Sequence, residues 1–243
     1  EDADIDVAAR TLAESNKVSL VEYDIKMKLA TDGLTFPYEG PVTAPATRAA
    51  MSDLGFNDPL IAEQWNYYNL GDLSIASSAY AGADINIKDT WKTLTAGDPS
   101  VIVAVVDQGV DYTHPDLVPN MWVNEAEKNG KPGVDDDGNG YVDDVHGYNF
   151  VDGEGDINYD KSQDFDTGHG THCAGIIGAV NNNGIGMAGV AGGTGNNDGV
   201  RIMSCQIFSK GYGGETRYSS RAIKYAADNG ASVISCSYGY PGG

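Results

Sequence analysis

The sequence predicts an α/β protein: a parallel sheet with helices on both faces, incomplete in this chain. Three observations predict it. Val101-Ile102-Val103-Ala104-Val105-Val106 is apolar at every position, which suits a strand covered by helices on both sides. Arg201 to Phe208, Thr216 to Asn229 and Ser232 to Cys236 read as strand, helix and strand with short connections, the pattern of a βαβ unit with parallel strands. The small-residue stretch from His169 to Val180 reads as a helix packed closely on that sheet.

The elements before the sheet have a different character. Asp6 to Asn16 fits a short helix. Val21, Tyr23, Ile25, Met27 and Leu29 then alternate with Glu22, Asp24, Lys26 and Lys28, and that period of two predicts a strand with one buried face. Pro37, Pro41 and Pro45 follow in a Gly/Thr/Ala-rich stretch that reads as an extended linker. A boundary between Pro45 and Asn57 divides the chain into an N-terminal extension, residues 1–56, and a larger unit, residues 57–243. In the larger unit, Thr216 to Asn229 carries Ala222, Ile223 and Ala226 at helical spacing, and Asn229-Gly230 is a natural stop.

Bulk properties narrow the function classes. The chain has 243 residues, 41% hydrophobic, enough for one ordinary domain and a short appendage. Its formal net charge is -20, so phosphate backbones are repelled and nucleic acid is not an expected partner. Asp135 to Asp166 holds eleven carboxylates and one lysine, a net of -10. The three cysteines, Cys173, Cys205 and Cys236, sit among apolar or small residues and read as buried thiols rather than a disulfide framework. No apolar stretch is long enough to span a bilayer. The start at Glu1 without methionine leads us to expect an upstream segment, and an export signal fits that place. The sequence reads as a piece of a longer protein.

In an open parallel sheet, sites form beyond the carboxyl ends of the strands. Asp107 follows one strand and Ser237-Tyr238-Gly239 follows another, while His169 opens the small-residue helix. Three separate segments are thus predicted to converge on one edge. A carboxylate closing a buried strand is costly unless hydrogen-bonded. His169 and His172 beside Cys173 offer two chemistries. One is a general base with a second, structural histidine; the flanking glycines at 168, 170 and 175 then allow close backbone approach. The other is zinc, although the spacing is loose and no carboxylate lies at a compact ligand distance in sequence.

Two long motifs carry a resemblance. Val-Val-Asp107-Gln-Gly-Val-Asp-Tyr-Thr-His-Pro-Asp-Leu and Gly-His169-Gly-Thr-His-Cys-Ala-Gly-Ile-Ile-Gly resemble the aspartate and histidine motifs of the subtilisin-like serine proteases, in that family's order of Asp, His, then Ser. Ser-Tyr-Gly-Tyr-Pro-Gly at 237 to 242 is similar to the family's substrate-binding strand. The resemblance runs from about Asn57 to Gly243 and implies a subtilisin-like sheet and a calcium-stabilised, secreted or cell-surface endopeptidase acting on peptides or proteins. It implies that Asp107 holds the imidazole of His169, which takes a proton from a serine hydroxyl. It further implies that Ser237, Tyr238 and Gly239 on one side, and Gly213 and Gly214 on the other, receive an extended peptide. Gln108 departs from the family's usual Thr or Ser. The serine motif and the oxyanion asparagine are absent from these residues, so we expect the nucleophile on a continuation or a second polypeptide. The resemblance makes residues 1–56 the end of a pro-segment, and so the protein a zymogen. An inactive peptide-binding relative and a zinc hydrolase using His169, His172 and Cys173 are the rival readings.

Calcium is the expected cofactor. Asp135-Asp136-Asp137-Gly138-Asn139-Gly140-Tyr141-Val142-Asp143 reads as D-x-D-x-N-G-x-x-D. Asp135, Asp137, Asn139, the Tyr141 carbonyl and Asp143 can wrap a hard cation around a turn at Gly140. An EF-hand would place Glu at the twelfth position, where this chain has His146. The family resemblance implies a second position at Asp116 with Asn182, and Asp152 with Asp156 offers a third.

Overall fold

A computed structural model describes residues 28–29, 54–71, 80–157, 168–208 and 216–239. In chain order these form β1 (Lys28–Leu29), α1 (Lys88–Thr93), β2 (Ile102–Asp107), α2 (Glu125–Lys128), β3 (Gly147–Asn149), α3 (His169–Gly178), β4 (Arg201–Gln206), α4 (Thr216–Asp228), β5 (Val233–Ser235) and β6 (Tyr238–Gly239). The main sheet runs β3-β4-β2-β5, and every neighbouring pair is parallel. The expected class, a parallel α/β sheet, is therefore present. Asp107 of β2 stands opposite Gln206 of β4.

β2 explains its own composition. Val103 and Val105 pack with Ala174 of α3, Leu117 and Met121 on one face. Ala104 and Val106 pack with Met203, Cys205 and the α4 residues Ala222, Tyr225 and Ala226 on the other. Both faces are covered, so no position on the strand favours a polar side chain until its end. Each buried valine contributes about 1.5–3 kcal/mol of transfer free energy.

The helices fit their sequences. α4 turns Ala222, Tyr225 and Ala226 inward while Arg221, Ile223 and Lys224 are exposed. It stops at Asn229-Gly230, where Gly230 takes φ +84°, a backbone state that costs glycine little. α3 lies close on the sheet because it lacks bulk: a Cβ on Gly178 would stand 3.1 Å from Ile202 Cδ1.

The short elements β3, α1 and α2 escape the sequence patterns. β3 is a three-residue strand inside the acidic region. A separate apolar cluster of Leu54, Ile61, Tyr67, Trp91, Ala96 and Ala188 ties the 54–71 segment to the unit. Of the predicted strand at 21–29, Lys28–Leu29 is described, and it pairs antiparallel with β6, Lys28 opposite Gly239 and Leu29 opposite Tyr238. The predicted helix at 6–16 and the proline linker lie outside the described residues.

Candidate active site

Three segments meet where β2 ends. Asp107 is 1% exposed, and its Oδ1 accepts the Gln108 backbone N–H at 2.8 Å. Both carboxylate oxygens face His169 Nδ1, at 2.8 and 2.9 Å. A carboxylate only accepts, so Nδ1 carries the proton and Nε2 is left with its lone pair. The hydrogen bond from Asp107 raises the His169 pKa above the ordinary value, with burial opposing it.

The imidazole is placed by backbone fit. Gly168 opens α3 in the left-handed region at φ +71°. Gly170 lies against the loop after β2, where a Cβ would sit 2.2 Å from the Gly109 carbonyl oxygen and 3.2 Å from Asp107 Cβ. That loop is fixed in turn. The Val110 N–H donates to Ser204 Oγ at 3.2 Å and the Asp111 N–H to Thr171 Oγ1 at 2.9 Å. Gln108 also acts here: its Oε1 lies 3.4 Å from the His169 backbone N–H.

One turn along α3, Cys173 Sγ lies 3.9 Å from His169 Nδ1. Burial raises its thiol pKa, and a hydrogen bond with Ser237 works the other way. Ser237, just ahead of β6, thereby reaches the Cys173 thiol. Tyr238 shares a 2.6 Å hydrogen bond with Ser219 Oγ on α4 and stacks edge-on against Phe208 at 5.9 Å. Gly213 and Gly214 lie outside the described residues.

His172 does not join His169. It is exposed and lines a cavity of about 340 Å³ with Asp111, His114 and Thr171. The zinc set of His169, His172 and Cys173 is therefore not assembled. The trio that converges is Asp107, His169 and Cys173, whose ligand atoms all lie within 4.8 Å of one another.

The acidic loop closes on a residue the sequence reading missed. Glu127 of α2 accepts the backbone N–H groups of Asp136 at 2.6 Å and Asp143 at 2.9 Å, and groups with Asp135 and Asp137 within 4.8 Å. Asp135 accepts from Gly138 at 2.7 Å and from Gly140 at 2.8 Å. Asn139 Oδ1 accepts from Tyr141 N–H at 2.8 Å, and Asp143 Oδ2 from Gly133 N–H at 2.8 Å. Fully buried Asp144 anchors the loop to the core through Tyr225 Oη at 2.6 Å and Asn124 Nδ2 at 2.8 Å. The donor set is all oxygen and suits a hard cation.

Asp116 meets a second unforeseen carboxylate, Asp58; each is 2% exposed. Burial raises both pKa values, and the Asp58 charge adds to the effect on Asp116. Asp58 accepts from Asn182 N–H at 2.8 Å. The side chain that reaches Asp116 is Asn183, at 2.7 Å, while Asn182 turns its amide to the Thr194 carbonyl at 3.2 Å. Gly186 is pressed on Asp116, where a Cβ would lie 2.1 Å from Oδ2. The two buried carboxylates interact and are met by N–H groups of Asn182, Asn183 and Met187; a divalent cation would offset their shared charge.

The carboxyl edge of a parallel sheet thus presents a carboxylate-oriented imidazole, an arrangement that can accept a proton. Residues 98–243 match the family model described as the subtilase family; the chain belongs to that family. It is 39% identical over 161 residues to subtilisin-like protease 1 of Plasmodium vivax, covering 65% of this chain and 24% of that protein. It is 32% identical over 183 residues to the halolysin-like extracellular serine protease Nep of Natrialba magadii, covering 75% of this chain and 26% of that protein. The solved serine protease of Aeromonas sobria is 25% identical with a TM-score of 0.50, over 83% of this chain and 27% of its own. The chain thus spans about a quarter of the length of these relatives.

Proposed function

We propose that the protein is a serine endopeptidase that hydrolyses peptide bonds through an Asp/His/Ser triad. The observation that carries this is the His169 ring, with Nδ1 gripped by both Asp107 oxygens at 2.8 and 2.9 Å. In this reading Nε2 takes the proton of a serine hydroxyl as it attacks the scissile carbonyl, then returns it to the leaving amine. Asp107 holds the tautomer and stabilises the imidazolium. The serine lies outside these 243 residues, on a continuation or companion polypeptide.

The substrate adds as a strand. Ser237, Tyr238 and Gly239 receive one side of an extended peptide and Gly213 with Gly214 the other. The antiparallel pairing of Lys28–Leu29 on Tyr238–Gly239 supports this use of the edge. It also supports reading residues 1–56 as a pro-segment, with Lys28–Leu29 on the edge that substrate would take, and the protein as a zymogen. The relative named an extracellular protease supports secretion. Among the described residues no helix is long and apolar enough to cross a membrane.

Calcium belongs in two places. Asp135, Asp137, Asn139, the Tyr141 carbonyl and Asp143, joined by Glu127, would hold one ion. Asp116 and Asp58 would hold the other. Calcium there neutralises crowded carboxylates and fixes loops; the proton transfers need only Asp107, His169 and serine.

The test is a serine-directed covalent inhibitor applied to the full-length protein, with hydrolysis and intact mass followed together. One adduct on serine with parallel loss of hydrolysis is expected. Hydrolysis that persists in the adduct, or a protein that binds peptide without turnover, overturns the reading.

A further inference from the structure

We propose that Asp107, His169 and Cys173 form an inhibitory site for a zinc-class divalent cation, one that shuts the site by seizing the nitrogen that Asp107 normally holds. The inference rests on reading His169 as the general base.

The ligand atoms are already gathered. His169 and Cys173 are four residues apart on α3, so they share a face. Nδ1 lies 2.8 and 2.9 Å from the two Asp107 oxygens and 3.9 Å from Cys173 Sγ. Zinc takes nitrogen at about 2.0–2.1 Å and thiolate at about 2.3 Å, which sets tetrahedral ligands about 3.4–3.6 Å apart. The sulfur is therefore within about 0.3 Å of a tetrahedral spacing, and the imidazole and carboxylate need to part by about half an ångström. One oxygen, one imidazole nitrogen and one sulfur suit a borderline-soft cation, while calcium prefers all-oxygen sites. Asp107 and His169 are buried, and Cys173 is half-buried, which leaves the sulfur side as the route of entry.

The proton balance explains the inhibition. In the active tautomer the imidazole proton sits on Nδ1. The cation bonds Nδ1, an Asp107 oxygen and the sulfur. The thiol proton leaves to solvent, and the imidazole keeps one proton, now on Nε2. The nitrogen that should accept from serine then carries a hydrogen, and the base is disabled with no bond to serine or substrate. Burial otherwise keeps the thiol protonated and inert.

The full-length protein, kept in saturating calcium, is titrated with Co²⁺ and followed for a thiolate-to-cobalt charge-transfer band. Peptide hydrolysis is measured in parallel against buffered Zn²⁺. A band that saturates at one equivalent is expected, with hydrolysis lost over the same range of zinc. Cys173→Ala should abolish the band and raise the half-inhibiting zinc concentration by more than about a hundredfold, beyond the loss seen for an outer-shell partner. Cys173→Ser tests the same point with volume and polarity nearly kept. No band in the wild type, a band that survives both substitutions, or a band without inhibition overturns the proposal. The band reports metal binding whether or not the protein hydrolyses peptides, so failure of this site and failure of the protease reading give different results.

Discussion

Gly170 presses its α-carbon against the carbonyl of Gly109: a Cβ at position 170 would lie 2.2 Å from that oxygen. This contact brings the first turn of α3 onto the loop that follows Asp107. Helix propensity alone favours Ala over Gly by about 1 kcal/mol. The clash is with backbone, which has no rotamer to escape into, so the clash wins. Gly170→Ala should destabilise the full-length protein by about 1–3 kcal/mol in urea unfolding. It should also cost about a hundredfold in kcat, the scale of a 1 Å misplacement at a reacting group. Unchanged stability and rate would show that the close approach is not needed.

The His169 pKa gives a pH dependence with a definite sign. The Asp107 hydrogen bond raises it above the ordinary 6.5, and only neutral imidazole accepts a proton. Activity is therefore full above the raised pKa and is lost as pH falls through it. The acid limb of the kcat/KM profile, which reports the free enzyme, should have its midpoint above 6.5. A midpoint at or below that value contradicts the assignment.

Glu127 should govern one calcium ion. Glu127→Gln removes a charge beside Asp135 and Asp137 and turns a donor toward backbone N–H groups. A site weakened tenfold loses about 1.4 kcal/mol of calcium stabilisation when the ion is in excess. Urea unfolding with and without calcium should show the gain shrinking by that order in the variant. An equal gain in both proteins removes Glu127 from the ligand set.

Tyr225 ties the acidic loop to the core. Its hydroxyl donates to buried Asp144 at 2.6 Å. Tyr225→Phe keeps the ring packing and leaves that oxygen with one donor fewer. A cost of about 1–3 kcal/mol is expected in urea unfolding, and a cost under about 0.5 kcal/mol would place the loop's anchor elsewhere.

The sequence made the sheet's centre readable because β2 is covered on both faces and ends in a charge. The same holds for α4, whose apolar stripe follows the helical period. β3 was hidden. Gly147-Tyr148-Asn149 is too short for a period, and its place is set by tertiary contact: Gly147 sits so close to Ser204 that a Cβ there would overlap the Ser204 carbonyl oxygen. Asp58 was hidden for a related reason, since its partner Asn182 is 124 positions away. Glu127 belongs to a short helix with no motif of its own. Within the histidine motif, spacing left base and metal both open. The fold parts the two histidines, turning His172 outward and pointing His169 at Asp107.

The most direct test is the tautomer of His169. Nitrogen-15 NMR of histidine-labelled full-length protein at a pH above its pKa reads which ring nitrogen carries the proton. A protonated Nδ1 with a strongly deshielded proton and a bare Nε2 is expected, an arrangement lost in Asp107→Asn, where kcat should fall by about four orders of magnitude. A proton found on Nε2 in the wild type, or an Nδ1 signal indifferent to Asp107→Asn, would contradict it.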